Sequence, residues 1–159
     1  MREIEFWRHH GAVVAGSNED SLMTIRHSGP ITAKTWLAAG HAAVAAAAAG
    51  QALAMVVDLR GALFLSDVAE LALTATYPVR TVPLLPAALI VSPAVREAFV
   101  GYCWALAGAG VRRVVFTEPE FARGWARRVV LQQSRRRRLA PCDRQPAAYA
   151  RQHAAALAA

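Results

Sequence analysis

The chain has 159 residues, a length that suits one domain with a hydrophobic core of its own. Its two cysteines, Cys103 and Cys142, lie far apart without a CxxC partner, which argues against a disulfide framework and a zinc site. The formal net charge of +7 is uneven, because residues 1–121 hold nine basic and ten acidic side chains, whereas 122–159 hold nine arginines and only Asp143.

The start of the chain predicts a cytoplasmic protein. Residues 1–5 alternate charged and apolar side chains and lack the continuous apolar run of a signal peptide. The stretch 36–57 is long enough to cross a bilayer, but most of it is alanine, and Gly50–Gln51 divides it into a helix and a strand. We therefore expect no membrane span.

Antiparallel strands are predicted first. Residues 4–8 and 12–15 are short apolar-rich pieces around Gly11, and residues 21–27 alternate in the manner of a strand. We expect these strands to be joined through the turn residues Gly16, Ser17 and Asn18, and Gly29–Pro30 to close the last of them.

A helix and a central strand follow. Thr32 offers its hydroxyl to the free N–H groups of a helix that runs to about Ala49, with Trp36, Gly40 and Val44 as its core stripe. Residues 52–59 form a nearly unbroken apolar run, as expected of a strand that is covered on both faces.

The alternation of helix and strand then continues to the last helix. In chain order, the pattern predicts a helix capped by Ser66 and running to about Thr76, a loop at 77–86, a strand at 87–91, a helix opened by Ser92–Pro93, a strand at 112–116, and a helix behind a Thr117/Glu120 capping box. Right-handed crossovers would lay these strands parallel.

The sequence thus predicts an α/β fold with a four- to five-stranded mixed sheet, mostly parallel with an antiparallel N-terminal edge, and about four helices. The apolar runs near positions 25, 56, 90 and 114 should lie side by side in this sheet. We expect one domain over 1–134 and a basic, flexible C-terminal tail over 135–159.

Two short motifs resemble a known family. The first resembles a central strand and the segment after it in the SpoIIAA-like fold, which STAS domains and STAS/SEC14 domain proteins share: Val56-Val57-Asp58-Leu59 leading into Phe64-Leu65-Ser66-Asp67. The run 114–119, followed by Trp125, is similar to the last strand and helix of the second group. The resemblance covers about residues 20 to 130 and implies a regulatory protein-binding module.

In the anti-sigma-factor antagonists of that fold, an Asp-Ser pair carries a serine whose phosphorylation switches binding off. With Phe64 as the anchor, Ser66 falls on the family's aspartate and Asp67 on its serine, so the pair is inverted here. Ser66 is then either a phosphate acceptor or a plain helix cap. Asp58 and Arg60 lie where open α/β sheets tend to bind ligands, or where the chain simply returns to water.

Two further surfaces are candidates. The helix that Ser92–Pro93 opens carries Phe99 on one apolar side and a second apolar stripe formed by Val100, Trp104 and Ala107. We favour a well-buried helix as the explanation. The alternative is an exposed patch that binds a second copy of the chain or a partner protein. Arg135, Arg136, Arg137 and Arg138 form a basic run that is either a solvated tail or a site for nucleic acid or anionic lipid.

The motifs that would indicate an enzyme are missing. The sequence has no GxGxxG, GxxxxGK[ST], HExxH or GxSxG motif, and its histidines lack ligand-like spacing, so we expect no catalysis, no cofactor and no metal. The predicted function is a non-catalytic module that binds an unknown protein through the loop 58–67 and the adjoining helix. One alternative is a small-molecule or lipid carrier of SEC14 type, in which Leu63, Phe64 and Leu65 line the pocket or its lid. A second is a nucleic-acid-binding protein that uses the arginine run. A third is a weak enzymatic activity at the loop 58–67.

Overall fold

A computed structural model describes residues 4–68, 70–71, 85–108 and 110–139. Within these ranges six strands form one sheet in the order β1-β2-β3-β4-β5-β6. The strands are β1 (Ile4–His9), β2 (Ala12–Glu19), β3 (Leu22–Ile31), β4 (Ala54–Phe64), β5 (Ala87–Ile90) and β6 (Arg113–Phe116). The helices are α1 (Ala33–Ala49), α2 (Arg96–Gly108), which follows a 3₁₀ turn at Pro93–Val95, and α3 (Pro119–Leu139).

The α/β class and the antiparallel N-terminal edge are confirmed. Strands β1, β2 and β3 pair antiparallel, and β3 to β6 pair parallel, so the four predicted apolar runs do lie side by side. The predicted four to five strands become six, because β1 and β2 are separate full strands. The described residues contain three complete helices instead of about four, although Val68, Glu70 and Leu71 are also helical.

Two tight hairpins build the antiparallel edge. The first turns at His10 and Gly11, with φ angles of 45° and 80°, and the second at Asp20 and Ser21, with φ angles of 51° and 62°. Positive φ at both central residues is the type I′ geometry that matches strand twist. The turn predicted at Gly16 to Asn18 is therefore wrong: these residues lie within β2, and Gly16 pairs with Ile25.

One face of the sheet is covered by α1 and α2. Because successive parallel strands are added in one direction, right-handed crossovers place their helices on the same face. The predicted stripe of α1 is only partly correct, since Trp36 and Val44 are buried whereas Gly40 is exposed. Instead Ala39, Ala43 and Ala47 contact the sheet, because their small side chains allow the helix to approach closely.

The opposite face is covered by α3. Its buried residues are Ala122, Ala126 and Val129, which pack against a second core cluster that includes Val56 and Ile90. This helix begins at Pro119 and not directly after Thr117, since proline suits the first helical position, where its missing N–H is not needed.

The domain boundary predicted at 134/135 falls inside α3. The helix continues through the arginine run to Leu139, because arginine is a good helix former and cations in the last turn interact favourably with the helix dipole. The rest of the predicted tail, 140–159, and most of the predicted helix and loop over 66–86 lie outside the described residues. Among those that are described, no helix is long and apolar enough to cross a membrane.

Candidate functional site

The carboxyl end of β4 holds the residues that sequence analysis selected. Much of the predicted loop 58–67 is strand, since β4 continues to Phe64 and Leu65 N–H still donates to Ile31 O at 2.8 Å. The reason is that β3 also continues, past Gly29–Pro30 to Ile31, and so provides backbone partners for this segment. The pairing shifts by one residue there: Arg26 pairs with Asp58, but Ser28 pairs with Gly61, which places a β-bulge in β4.

Asp58 and Arg60 lie in this bulge and bind each other. Arg60 Nε donates to Asp58 Oδ1 at 2.9 Å, Nη2 donates to Oδ2 at 2.7 Å, and the Arg60 backbone N–H also donates to Oδ1 at 3.1 Å. These hydrogen bonds lower the pKa of Asp58, with a smaller contribution from the charge of Arg26. The arrangement is a bidentate pair that fixes the shape of the bulge.

Ser66 has a role that the sequence did not indicate. Its Oγ accepts a hydrogen bond from the backbone N–H of Ala33, the first residue of α1, at 3.1 Å. Thr32 and Thr35 form a capping box at the same helix start. The helical residues after Ser66 begin one position later than expected, since Asp67 O accepts from Leu71 N–H at 3.0 Å. Ser66 therefore connects the end of β4 to the start of α1.

Phe64 and its two neighbours point in opposite directions. The Phe64 ring packs on Phe99, with ring centroids 5.2 Å apart, and on Trp36, at 6.3 Å. Leu63 and Leu65 lie on the other face of the sheet, where each is 61% exposed. The three residues thus do not line one common pocket, which weakens the carrier interpretation.

The aromatic cluster around Trp36 encloses several titratable groups. His27 is buried with its ring centroid 5.5 Å from that of Trp36, and burial lowers the pKa of His27 to about 4. Burial also raises the pKa of Tyr102 to about 12 and that of Cys103 to about 11. Cys103 is buried and belongs to the core on this face of the sheet. No group of three His, Cys, Asp or Glu side chains that could hold a metal ion occurs in the described ranges.

Much of the second stripe of α2 is exposed, so our favoured interpretation of a well-buried helix is wrong for this side. Trp104 is 76% exposed and Val100 is half-buried. The helix buries only the face of Phe99, Tyr102, Cys103 and Leu106. The second stripe thus stays outside the core that the described residues form.

A cleft of about 410 Å³ lies beside β6, and sequence analysis missed it. It opens between α2 and α3, and its walls include Arg96, Val115, Phe116, Phe121 and Arg128. Phe121 is 69% exposed. Phe121 lies outside the buried face of α3, which is formed by Ala122, Ala126 and Val129.

The arginine run is exposed along its whole length. Arg135 to Arg138 occupy the last turns of α3, beyond Val129, the last buried residue of this helix. No ion pair joins them to an acidic side chain within the part of the chain that the structure describes. The run therefore presents its charges to solvent from a helix.

Comparison with known proteins does not assign the chain. No model of a known protein family matches the sequence. No curated protein is significantly similar to it.

Proposed function

We propose that the chain is a non-catalytic regulatory module of STAS-like type that binds a protein partner through the carboxyl end of β4. The observation that carries this proposal is the exposure of two large apolar side chains at the carboxyl end of β4, Leu63 within the strand and Leu65 directly after it. Exposed apolar residues grouped in this way are typical of protein contact surfaces.

The surroundings of the two leucines suit such a contact. The bulge beside them is stiffened by the Asp58–Arg60 pair, whose hydrogen bonds raise the pKa of the Arg60 guanidinium, with a smaller contribution from the charge of Glu118. A partner would therefore meet a rigid surface with an apolar centre and fixed charges beside it, the usual arrangement at a protein interface. The non-catalytic character is supported by the burial of His27 and Cys103 in the core, away from any substrate.

The binding test compares two variants. We expect the double variant L63D/L65D to lose partners that the wild-type chain captures from host extract, and to bind the purified partner at least about tenfold more weakly. The matched control is L131D, since Leu131 is 59% exposed on α3, far along the chain from β4. A partner that binds L63D/L65D as well as the wild type, or that L131D loses equally, would contradict the proposed surface.

Ser66 is the proposed regulatory position. A phosphate on its Oγ would replace the hydrogen bond to Ala33 N–H, but it would stay at the start of α1, where free N–H groups and the helix dipole favour an anion. The neighbouring Asp67 opposes the added charge. We expect incubation with kinases of the host to phosphorylate the Ser66 peptide, detected by mass spectrometry. Absence of phosphate would leave a passive binding role.

A second candidate function is binding of nucleic acid by the end of α3. Four consecutive residues of an α-helix, at about 100° each, distribute their side chains around the whole helix axis. Arg135 to Arg138 thus leave no apolar face at that level, which suits a nucleic-acid groove with phosphates on both sides better than a flat bilayer surface.

This candidate has its own test. For duplex DNA, the logarithm of the association constant falls linearly with the logarithm of the salt concentration. Replacing Arg135 to Arg138 by glutamine should make this slope shallower by roughly 3 to 4, whereas replacement by lysine should preserve it. Fluorescence anisotropy with labelled DNA measures both slopes. Equal slopes for the glutamine variant and the wild type would show that the run does not contact phosphates.

A further inference from the structure

The cleft of about 410 Å³ lies at the carboxyl end of β6, between the starts of two helices. Arg96, the first residue of α2, borders it on one side. Glu120 and Phe121 in the first turn of α3 border it on the other, and Thr117 and Glu118, directly after β6, also line it. Ligands of open α/β sheets bind outside the carboxyl ends of the strands. The cleft therefore has the position, and also the size, of a small-molecule site.

Part of the cleft is apolar and open. Val115 and Phe116 of β6 line it together with Phe121 of α3, which is 69% exposed. Gly124 lies next to Phe121 on the same side of α3 and also lines the cleft. A Cβ at Gly124 would meet no other atom within 4 Å, so the glycine leaves free space in the helix surface. An aromatic or aliphatic group can therefore lie against Phe121 and over Gly124 without displacing a side chain.

The charges that line the cleft leave one guanidinium without a counter-charge. Three of the four lining charges interact with an opposite charge of the chain: Arg96 with Glu97 at 2.6 Å, Glu120 with Arg123 at 3.2 Å, and Glu118, through its charge alone, with Arg60. The fourth is Arg128, which forms no ion pair with an acidic side chain within the described ranges. A guanidinium binds a carboxylate or a similar anion through two parallel hydrogen bonds. The free charge of the cleft thus favours an anionic ligand.

We propose that this cleft binds a small organic anion with an apolar body, of the aryl-alkyl carboxylate class. Phe121 and Arg128 are two helical turns apart on nearly the same side of α3, so they are separated by about 10 Å along the helix axis. A ligand of this length places its apolar body on Phe121 and over Gly124, and its carboxylate at Arg128. The site shares no residue with the proposed partner surface at Leu63 and Leu65, and neither proposal depends on the other.

The first experiment titrates the full chain with three probes and follows its amide NMR signals. Phenylbutyrate carries the anion and the ring, phenylbutylamine carries an ammonium group instead of the carboxylate, and butyrate lacks the ring. We expect phenylbutyrate to shift the signals of Phe121, Gly124 and Arg128 with a dissociation constant on the order of 1 mM, which is ordinary for so small a ligand. The other two probes should bind at least about tenfold more weakly. The proposal is overturned if the amine binds as tightly as the acid, or if phenylbutyrate leaves these three signals unshifted at about 10 mM.

Two matched pairs of variants test where phenylbutyrate binds. G124L fills the free space in the cleft, whereas G101L adds the same side chain at an exposed glycine of α2, where a Cβ also meets no atom within 4 Å. R128Q removes the free charge of the cleft, whereas R127Q removes the charge of the neighbouring exposed arginine, which does not line the cleft.

All four variants should keep the circular dichroism spectrum of the wild type, because each change lies on an exposed or half-buried side of a helix. We expect G124L and R128Q to weaken the binding of phenylbutyrate at least about tenfold, and G101L and R127Q to change it less than about twofold. Wild-type affinity in folded G124L and R128Q, or equal losses in the members of either pair, would show that the ligand does not occupy this cleft.

Discussion

Acidification should destabilise the protein through His27. Its ring is 3% exposed in the folded chain, and burial lowers its pKa from 6.5 to about 4. The neutral ring is therefore kept in the fold, while the unfolded chain binds a proton as soon as the pH falls below about 6.5. A group whose pKa is lower in the folded state in this way makes the free energy of unfolding decrease as pH falls from about 6.5 to about 4.

The magnitude follows from the difference between the two pKa values. At pH 7 the imidazole is mostly neutral in both states, so it changes the free energy of unfolding little. At pH 5 the unfolded chain is stabilised by on the order of 2 kcal/mol relative to the fold, and below pH 4 the loss reaches on the order of 3 kcal/mol. These losses are a large fraction of the stability of an ordinary domain.

Urea unfolding at several pH values between about 7 and 5 measures this loss for the wild type and two variants. H27L removes the titration but keeps an apolar side chain against Trp36, so its unfolding free energy should fall much less with pH. H41Q is the control, because His41 is exposed on α1. A wild type and H27L that lose stability in parallel would refute the reasoning, as would an NMR titration of the His27 ring with a midpoint near 6.5.

Three further predictions concern thermal or urea unfolding. S66A should lower the free energy of unfolding by about 1 kcal/mol, because it removes the acceptor for the first N–H of α1. An unchanged unfolding midpoint would show that this hydrogen bond is not formed. G40A should gain up to about 1 kcal/mol, since a Cβ there meets no atom in an exposed helix position, whereas G16A should destabilise strongly because its Cβ would overlap the Thr24 carbonyl oxygen of β3. F99A should lower the free energy of unfolding by about 3 to 5 kcal/mol, because Phe99 is fully buried. W104A should change it by less than about 1 kcal/mol, because Trp104 is exposed. Similar decreases for both variants would contradict the assigned burial.

The parallel part of the fold was predictable because its signals are local. The apolar runs of β4 and β5 are buried on both faces, and such strands are recognised by composition alone. The capping side chain of Thr32 also marked the start of α1 correctly. Pro93 opens a 3₁₀ turn three residues before α2, and Ser92 makes no side-chain capping hydrogen bond there. The second hairpin turn was misplaced because Gly16 is required for close approach of β3, and glycine in a strand resembles glycine in a turn.

The sequence selected the residues of the candidate site but did not indicate how they interact. Asp58 and Arg60 were expected beside one another at a strand end, but their ion pair depends on a bulge that arises only when β3 pairs with β4. The hydrogen bond of Ser66 joins residues 33 positions apart, so no local pattern could reveal it. The exposure of Trp104 likewise depends on which side of α2 packs into the core.

The sequence by itself determined the α/β class, the antiparallel start of the sheet and the four strands β3 to β6, because apolar periodicity and helix caps act within a few residues of the chain. The tertiary structure alone decided how far β3 and β4 extend, which helix Ser66 caps, where α3 crosses the sheet and which apolar side chains remain exposed. These features depend on contacts between elements that are distant in sequence, where pairing and burial override local preference.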